Sequence, residues 1–204
     1  MLVQHCTTHL LYLHGFRSSP QSAKALRVAA RVNTQHPGVT WWCPQLPPSP
    51  QAAVDLLRQG VANWPWHRMA VVGSSLGGFY ATWVAEHTGC KAVLLNPAVD
   101  PARDLAHHIG EQTGWQNLED RFFFEPAFIG ELQALTLHNQ PPPERYRVWI
   151  AKGDEVLDWR EMAARYASAQ PIVLEGGDHA LSNFDAHIDG VFAFLDLLPG
   201  PQSK

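Results

Sequence analysis

The stretch from Val71 to His87, VVGSSLGGFYATWVAEH, joins an apolar strand pattern to a helical pattern through a short turn of glycines and serines. One interpretation is a plain strand-to-helix turn, in which glycines tighten the backbone and serines cap the helix. The other is a nucleophile elbow, Gly-x-Ser-x-Gly, in which the central serine occupies a strained turn and exposes its hydroxyl. Only the register Gly73-Ser74-Ser75-Leu76-Gly77 fits the elbow, so the motif selects Ser75 as the candidate nucleophile.

Short apolar runs alternate with amphipathic runs along the chain, which predicts a mostly parallel central sheet with helices on both faces. The predicted strands are 9–14, 39–44, 68–73, 91–96, 146–151 and 171–175. The predicted helices are a first one from Ser19-Pro20 to about Val32, then 50–60, 78–88, 158–168 and 184–197. Two stretches interrupt this alternation, a proline-rich loop at 44–50 and a long insertion at 100–144. We expect a single domain over 1–204 in which 100–144 forms a short cap.

The composition is that of an ordinary globular protein, with 46% hydrophobic and 17% charged residues among 204. The formal charge of −4 and the scattered lysines and arginines argue against nucleic acid as a partner. No apolar run has the length of a membrane span, and the N-terminal residues lack the basic start of a signal peptide. The three cysteines, Cys6, Cys43 and Cys90, show no paired spacing. These features predict a cytoplasmic protein with reduced thiols.

Eleven histidines raise the question of a metal site. Neither His-Glu-x-x-His nor Cys-x-x-Cys occurs, and the adjacent His107 and His108 would diverge on a helix. We therefore expect no metal and no other cofactor.

A serine nucleophile needs a base within hydrogen-bond reach, and the base needs a third group that orients it. On a sheet with an elbow these partners follow in the order Ser, acid, His, each in a loop after a later strand. The loop after 146–151 contains Asp154, the favoured acid, and Asp158, the alternative acid, which also suits the start of a helix. The loop after 171–175 contains His179, the expected base.

The first predicted strand ends in His14-Gly15-Phe16, which is a candidate oxyanion loop. Gly15 allows the backbone to approach the serine, so the amide of Phe16 and the amide of Leu76 are the expected oxyanion donors. Two roles stay open for His14, which either holds this loop by hydrogen bonds or merely fills space.

Five segments together resemble the YqiA-like esterases, small members of the α/β-hydrolase fold: LLYLHGFRSSPQSAKA (10–25), GSSLGGFYATWVAE (73–86), LLNPAVDP (94–101), GDEVLDWRE (153–161) and EGGDHAL (175–181). The resemblance covers nearly the whole chain and is weakest across 100–144. It implies an α/β-hydrolase fold and an esterase or thioesterase with a Ser-Asp-His triad and no metal. Ser75 and His179 match the family motifs, while the acid is Asp154 or Asp158.

The expected activity is therefore hydrolysis of a small-molecule carboxylic ester or acyl thioester through an acyl-enzyme on Ser75. The same triad also serves peptide, lactone and carbon–carbon hydrolysis, and a non-catalytic binding protein can keep a hydrolase frame. Phe16 and Leu76, with Trp115 and Phe122–Phe124 from the insertion, are candidates to line an acyl site. An equal alternative for Phe122–Phe124 is that they anchor the insertion on the core.

Overall fold

The structure, a computed structural model, describes residues 6–197 and 199–200. The described residues form a six-stranded sheet of β1 (His9–Leu13), β2 (Thr40–Trp42), β3 (Met69–Ser74), β4 (Lys91–Leu95), β7 (Tyr146–Ala151) and β8 (Ile172–Leu174). Their order in the sheet is β2-β1-β3-β4-β7-β8, and every neighbouring pair is parallel. The predicted parallel sheet is confirmed, and all six predicted strands are present.

The described part of the chain contains seven α-helices, and those that cover the sheet connect or follow its strands. They are α1 (Ala23–Gln35), α2 (Pro50–Gly60), α3 (Leu76–Thr88), α4 (Pro101–Leu105), α5 (Ala127–Leu135), α6 (Trp159–Arg165) and α7 (Ile188–Leu195). None of these helices is long and apolar enough to cross a membrane.

The start of α1 differs from the prediction. The helix begins at Ala23 with Ser22 at the N-cap, whereas Ser19-Pro20 was the predicted start. Ser19 instead closes a turn before the helix, because its carbonyl accepts from the Ser22 amide at 3.0 Å and its hydroxyl accepts from the Gln21 amide at 3.1 Å. Both serines suit a helix start, and the turn geometry decides between them.

The alternation of side chains along the strands divides the core into two layers. On β1, Leu11 and Leu13 pack with α2 and α3, while Leu10 and Tyr12 pack with α1 and α7 on the other face. All four side chains are fully buried. Because successive residues of a strand point to opposite faces, a strand covered by helices on both sides must be apolar throughout.

The insertion at 100–144 contains α4, an antiparallel hairpin of β5 (Gly110–Thr113) and β6 (Arg121–Phe124), and α5. It is attached to the start of α2, since the Glu131 carboxylate accepts from the Ser49 hydroxyl at 2.7 Å and from the Gln51 amide at 2.9 Å. That the insertion acts as a cap, and that the chain forms a single domain, stay predictions.

The strand order reverses beside β1, because β2 lies on one side of it and β3 on the other. Ligands of open α/β sheets bind outside the carboxyl ends of the strands at such a point. The loop at 14–19 follows β1 and Ser75 follows β3, so both lie at this edge.

Candidate active site

Ser75 lies at the sharp turn between β3 and α3, with backbone angles of φ 56° and ψ −125°. A non-glycine residue rarely adopts a positive φ, and such a conformation persists only where surrounding contacts hold it. Here the Ser75 amide donates to the Leu95 carbonyl at 3.0 Å, and the Ser75 carbonyl accepts from the amides of Gly78 at 2.8 Å and Ala98 at 3.0 Å. These bonds hold the strained serine in place.

The glycines of the turn are explained by close packing. A Cβ on Gly73 would overlap the Gly77 carbonyl, and one on Gly77 would overlap the Leu13 carbonyl of the neighbouring strand. A Cβ on Gly78 would lie 2.7 Å from the Pro97 Cβ. The sequence around Ser75 therefore lets α3 start directly against the sheet.

The structure brings three of the predicted side chains into one hydrogen-bonded chain. His179 Nε2 lies 3.0 Å from Ser75 Oγ, and His179 Nδ1 lies 2.8 Å and 3.0 Å from the two carboxylate oxygens of Asp154. The Asp154 side chain is fully buried, whereas 21% of the His179 side chain is exposed. With Asp154 ionised, Nδ1–H donates to the carboxylate and Nε2 is left to accept from the Ser75 hydroxyl.

The two candidate acids occupy different positions. Asp154 Oδ1 also accepts from the amides of Val156 at 2.9 Å and Leu157 at 2.8 Å, so its carboxylate is fixed by its own loop. Asp158 is the N-cap of α6, where its carboxylate accepts from the Arg160 amide at 2.8 Å. The structure therefore places Asp154, and not Asp158, against the histidine.

The loop after β1 approaches the serine closely. A Cβ on Gly15 would lie 3.1 Å from Ser75 Cβ and 3.5 Å from Ser75 Oγ, which explains a glycine at this position. Among the described residues, the amides of Phe16 and Leu76 have no backbone or side-chain acceptor. Two unpaired donors beside a serine hydroxyl are what an oxyanion hole requires.

His14 holds this loop by hydrogen bonds, which resolves the two roles left open by the sequence. Its Nδ1 lies 3.0 Å from the Gly15 carbonyl, and its Nε2 accepts from the Leu46 amide at 3.1 Å. The ring is almost fully buried, and this burial lowers its pKa, although the bond to the Gly15 carbonyl acts in the opposite direction. The neutral ring with its proton on Nδ1 satisfies both bonds.

The loop that carries His179 is held by residues that the sequence analysis missed. Asn96 is fully buried, and its side-chain amide donates to the carbonyls of Asp178 at 3.0 Å and His179 at 3.1 Å. Its Oδ1 accepts from the Ala151 amide at 2.8 Å, which joins the end of β7 to the same network. A polar residue directly after the apolar strand β4, next to the serine strand, was the available signal.

Two charged side chains add to this support. The Glu155 carboxylate accepts from the His179 amide at 2.9 Å, and the Lys24 ammonium donates to the Ala180 carbonyl. Burial lowers the pKa of Lys24 to about 8, although the carboxylates of Asp178 and Asp154 act in the opposite direction. The backbone around the histidine is thus fixed from both sides.

The hairpin of the insertion is attached to the loop at 14–19 through Arg17, which has a φ of 59°. Its Nε donates to the Thr113 carbonyl at 2.7 Å, and its carbonyl accepts from the Trp115 amide at 2.7 Å. The guanidinium also lies over the Trp115 ring, 4.1 Å from the ring centre. A second contact between the loop and the hairpin is made by Phe16, which packs edge-on against Phe122 at 5.8 Å between ring centres.

Two cavities lined by described residues flank the loop at 14–19. The Ser75 cavity, of about 550 Å³, is lined by Ser75 and His179 and also by Trp115 and Val156. The Leu56 cavity, of about 720 Å³, is lined by Leu56 and also includes Leu76 and Phe122. The two share the wall formed by His14, Gly15, Phe16, Ser18 and Gln116.

The aromatic run of the insertion has mixed roles. Phe122 lines the Leu56 cavity, whereas Phe124 is buried in the core and packs edge-on against Phe16 and Phe128. Phe123 is 54% exposed. Phe124 is therefore a core contact of the insertion, whereas Phe122 both packs against the core and lines the Leu56 cavity.

No group of three or more histidine, cysteine, aspartate or glutamate side chains that could hold a metal ion occurs in the described ranges.

Comparisons with known proteins identify the relatives of this chain. A family model described as Uncharacterised protein family (UPF0227) matches residues 9–196. Among solved structures, alpha/beta hydrolase domain-containing protein 10 from mouse is 18% identical, with a TM-score of 0.65 over 95% of this chain and 92% of that chain. The esterase domain of a Rhodothermus marinus protein is 18% identical, with a TM-score of 0.60 over 95% and 89% of the two chains.

A third similar structure is Est1E from Butyrivibrio proteoclasticus with bound ferulic acid. It is 13% identical, with a TM-score of 0.65 over 94% of this chain and 88% of that chain. These likenesses show that the chain has the α/β-hydrolase fold, as its motifs predicted.

Proposed function

The chain belongs to the Uncharacterised protein family UPF0227, the YqiA-like family that its motifs indicate, and we propose that it is a serine hydrolase of carboxylic esters or acyl thioesters. The substrate in this proposal is a small molecule with an acyl group, and the acyl group is transferred first to Ser75 and then to water.

One observation carries the proposal, the continuous hydrogen-bonded chain from Ser75 through His179 to Asp154. The distances of 3.0 Å and 2.8 Å in this chain match those of a nucleophile, its base and the group that orients the base. The strained backbone of Ser75 supports the same interpretation, because strain of this kind concentrates at functional sites.

The first half of the reaction follows from this arrangement. His179 Nε2 takes the hydroxyl proton while Ser75 Oγ forms a bond to the carbonyl carbon of the substrate. The carbonyl oxygen becomes negatively charged, and in this proposal the amides of Phe16 and Leu76 donate to it. The bond to the leaving alcohol or thiol then breaks, and that group takes the proton from His179. The acyl group remains on Ser75.

The second half repeats these steps with water. The imidazole of His179 takes a proton from water, whose oxygen attacks the acyl carbon and releases the carboxylic acid. The proton returns to Ser75 Oγ, which restores the starting state. The Asp154 carboxylate keeps the proton on Nδ1 and stabilises the positively charged imidazole in both halves.

Ester chemistry is supported by the named relatives of this fold. The Rhodothermus marinus structure is an esterase domain, and Est1E was solved with ferulic acid, a carboxylic acid. The extension to thioesters rests on chemistry, since the same attack on an acyl carbon releases a thiol in place of an alcohol.

A matched pair of aspartate substitutions tests the proposal. Asp154→Asn should lower kcat for p-nitrophenyl acetate by about 10⁴-fold, because an amide favours the wrong tautomer of His179. Asp158→Asn should keep kcat within about twofold, since asparagine caps a helix as well as aspartate does. A wild-type kcat in Asp154→Asn, or a large loss in Asp158→Asn alone, would contradict the assigned acid.

A further inference from the structure

Both predicted oxyanion donors line the Leu56 cavity, and one of them, Phe16, also lines the Ser75 cavity. Ser75, the residue before Leu76, lines the Ser75 cavity. A substrate carbonyl bonded to Ser75 Oγ with its oxygen at these amides therefore has both cavities beside it.

The chemistry of the reaction assigns a direction to each substituent of the carbonyl carbon. The leaving group must lie on the histidine side, because His179 Nε2 gives it a proton as the bond breaks. His179 lines the Ser75 cavity and is absent from the walls of the Leu56 cavity. The acyl substituent takes the remaining direction, past the side chains of Phe16 and Leu76.

We propose that the Leu56 cavity is the acyl-binding site and the Ser75 cavity the leaving-group site, so that the substrates are esters or thioesters of extended apolar acids. This inference rests on the function proposed above and adds to it the class of acyl group and the residues that select it.

One part of the wall of the Leu56 cavity has the chemistry of such a site. It is formed by apolar and aromatic side chains from the proline-rich loop, α2 and α3, namely Leu46, Pro47, Pro48, Leu56, Leu76 and Tyr80. The two prolines and the two helices make this wall rigid. Tyr80, which is part of the wall, is almost fully buried. A preformed apolar wall binds an alkyl chain with little loss of conformational freedom in the protein.

The remaining lining is mixed, because residues 17–19, 116, 117, 120 and 121 are polar or charged, whereas Phe122 of the hairpin is aromatic. An alkyl chain in this cavity therefore contacts polar groups as well as apolar side chains. Full burial of a methylene corresponds to about a fourfold gain in affinity, so kcat/KM should rise by about twofold to fourfold per added carbon until the cavity is filled.

Leu56 is the residue to change, because its half-buried side chain lines the cavity without belonging to the hydrogen-bonded site. In Leu56→Trp, the ratio of kcat/KM for p-nitrophenyl octanoate to that for the acetate should fall at least tenfold. Leu56→Ala should move the preferred chain to longer acids. Leu26→Trp is the matched control, since Leu26 is a 48% exposed helical leucine outside both cavities, and its ratio should equal that of the wild type.

A crossed substitution tests the other half of the proposal. Val156 is 64% exposed and lines the Ser75 cavity. Val156→Trp should alter the relative rates within a series of acetate esters of increasingly bulky alcohols, and should leave the octanoate-to-acetate ratio as in the wild type.

Hydrolysis of the acetate separates the failures of the two proposals. If the wild type cleaves the acetate but its rate does not respond to acyl length, or if Leu56→Trp alters the alcohol series instead of the acyl series, the assigned cavities are wrong and the hydrolase proposal stands. If the wild type cleaves neither ester nor thioester at any length, both proposals are overturned.

Discussion

At the scale of a single residue, burial lowers the pKa of His14 and so favours the neutral ring, which is the form that its two hydrogen bonds require. The neutral ring donates to the Gly15 carbonyl and accepts from the Leu46 amide. Protonation would turn the accepting nitrogen into a donor that faces another donor. The loop at 14–19 is thus held by a hydrogen bond that is lost when His14 is protonated.

This predicts a specific dependence of stability on pH. Because burial holds the pKa of His14 below its ordinary 6.5, the unfolded chain binds a proton more readily than the folded protein. Stability from this source is complete above pH 6.5 and falls as the pH drops toward the folded-state pKa. In His14→Gln, the midpoint of urea unfolding should be lower than in the wild type at pH 7.5, but should decrease less between pH 7.5 and 5.

The exposed His138→Gln is the control, and its pH dependence should match that of the wild type. If the midpoint of urea unfolding changed with pH equally in His14→Gln and in the wild type, the lowered pKa of buried His14 would not be the source of this pH dependence.

At the scale of the elements, the site depends on how closely α3 and the loops approach the ends of the strands. A Cβ on Gly77 would overlap the Leu13 carbonyl, whereas one on Gly130 in α5 has no neighbour within 4 Å. Both glycines lie in helices, where alanine is intrinsically more favourable than glycine. The two positions therefore differ in the room that is available for an added Cβ.

The two substitutions should therefore have opposite effects. Gly77→Ala should lower the free energy of unfolding by about 3 kcal/mol or more, because α3 must move away from the sheet. Gly130→Ala should raise it by about 0.5 to 1 kcal/mol through helix propensity. Urea unfolding measures both, and a neutral Gly77→Ala would show that α3 is not packed as described.

The loop that carries His179 depends on Asn96 in a similar way. Asn96→Ala should lower kcat by about 10- to 100-fold, because an imidazole displaced by about 1 Å no longer reaches the serine well. It should also lower the free energy of unfolding by about 1 to 3 kcal/mol, since the buried Ala151 amide loses its acceptor.

Asn183→Ala makes the same deletion at an exposed position of the chain after His179, and it should change neither kcat nor stability. A wild-type kcat in Asn96→Ala would show that Asn96 does not position His179.

At the scale of the whole molecule, the features that the sequence predicted are those with local signals. Apolar runs bounded by turn residues predicted the strands of the sheet, and the spacing of glycines around Ser75 predicted the sharp turn. His179 was predicted from its place in the loop after the last predicted strand and from the family motif around it. Side-chain types and short-range spacing suffice for these features.

The features that the sequence did not predict depend on contacts between distant parts of the chain. Asn96 accepts from a residue 55 positions away and donates to one 83 positions away. The attachment of Arg17 to Thr113 spans 96 positions. The sequence shows only that a polar residue follows the apolar strand β4, and it does not identify the partners of Asn96 or Arg17, because only the folded sheet brings them together.

The central claim is that Ser75 is a nucleophile activated by His179, and fluorophosphonate labelling followed by mass spectrometry tests it most directly. A fluorophosphonate reacts with an activated serine hydroxyl and leaves a stable adduct on its oxygen. At neutral pH the wild type should gain one adduct, located on the peptide that contains Ser75, and folded Ser75→Ala should gain none. An unlabelled wild type, an adduct on a different residue, or a labelled Ser75→Ala would contradict the claim.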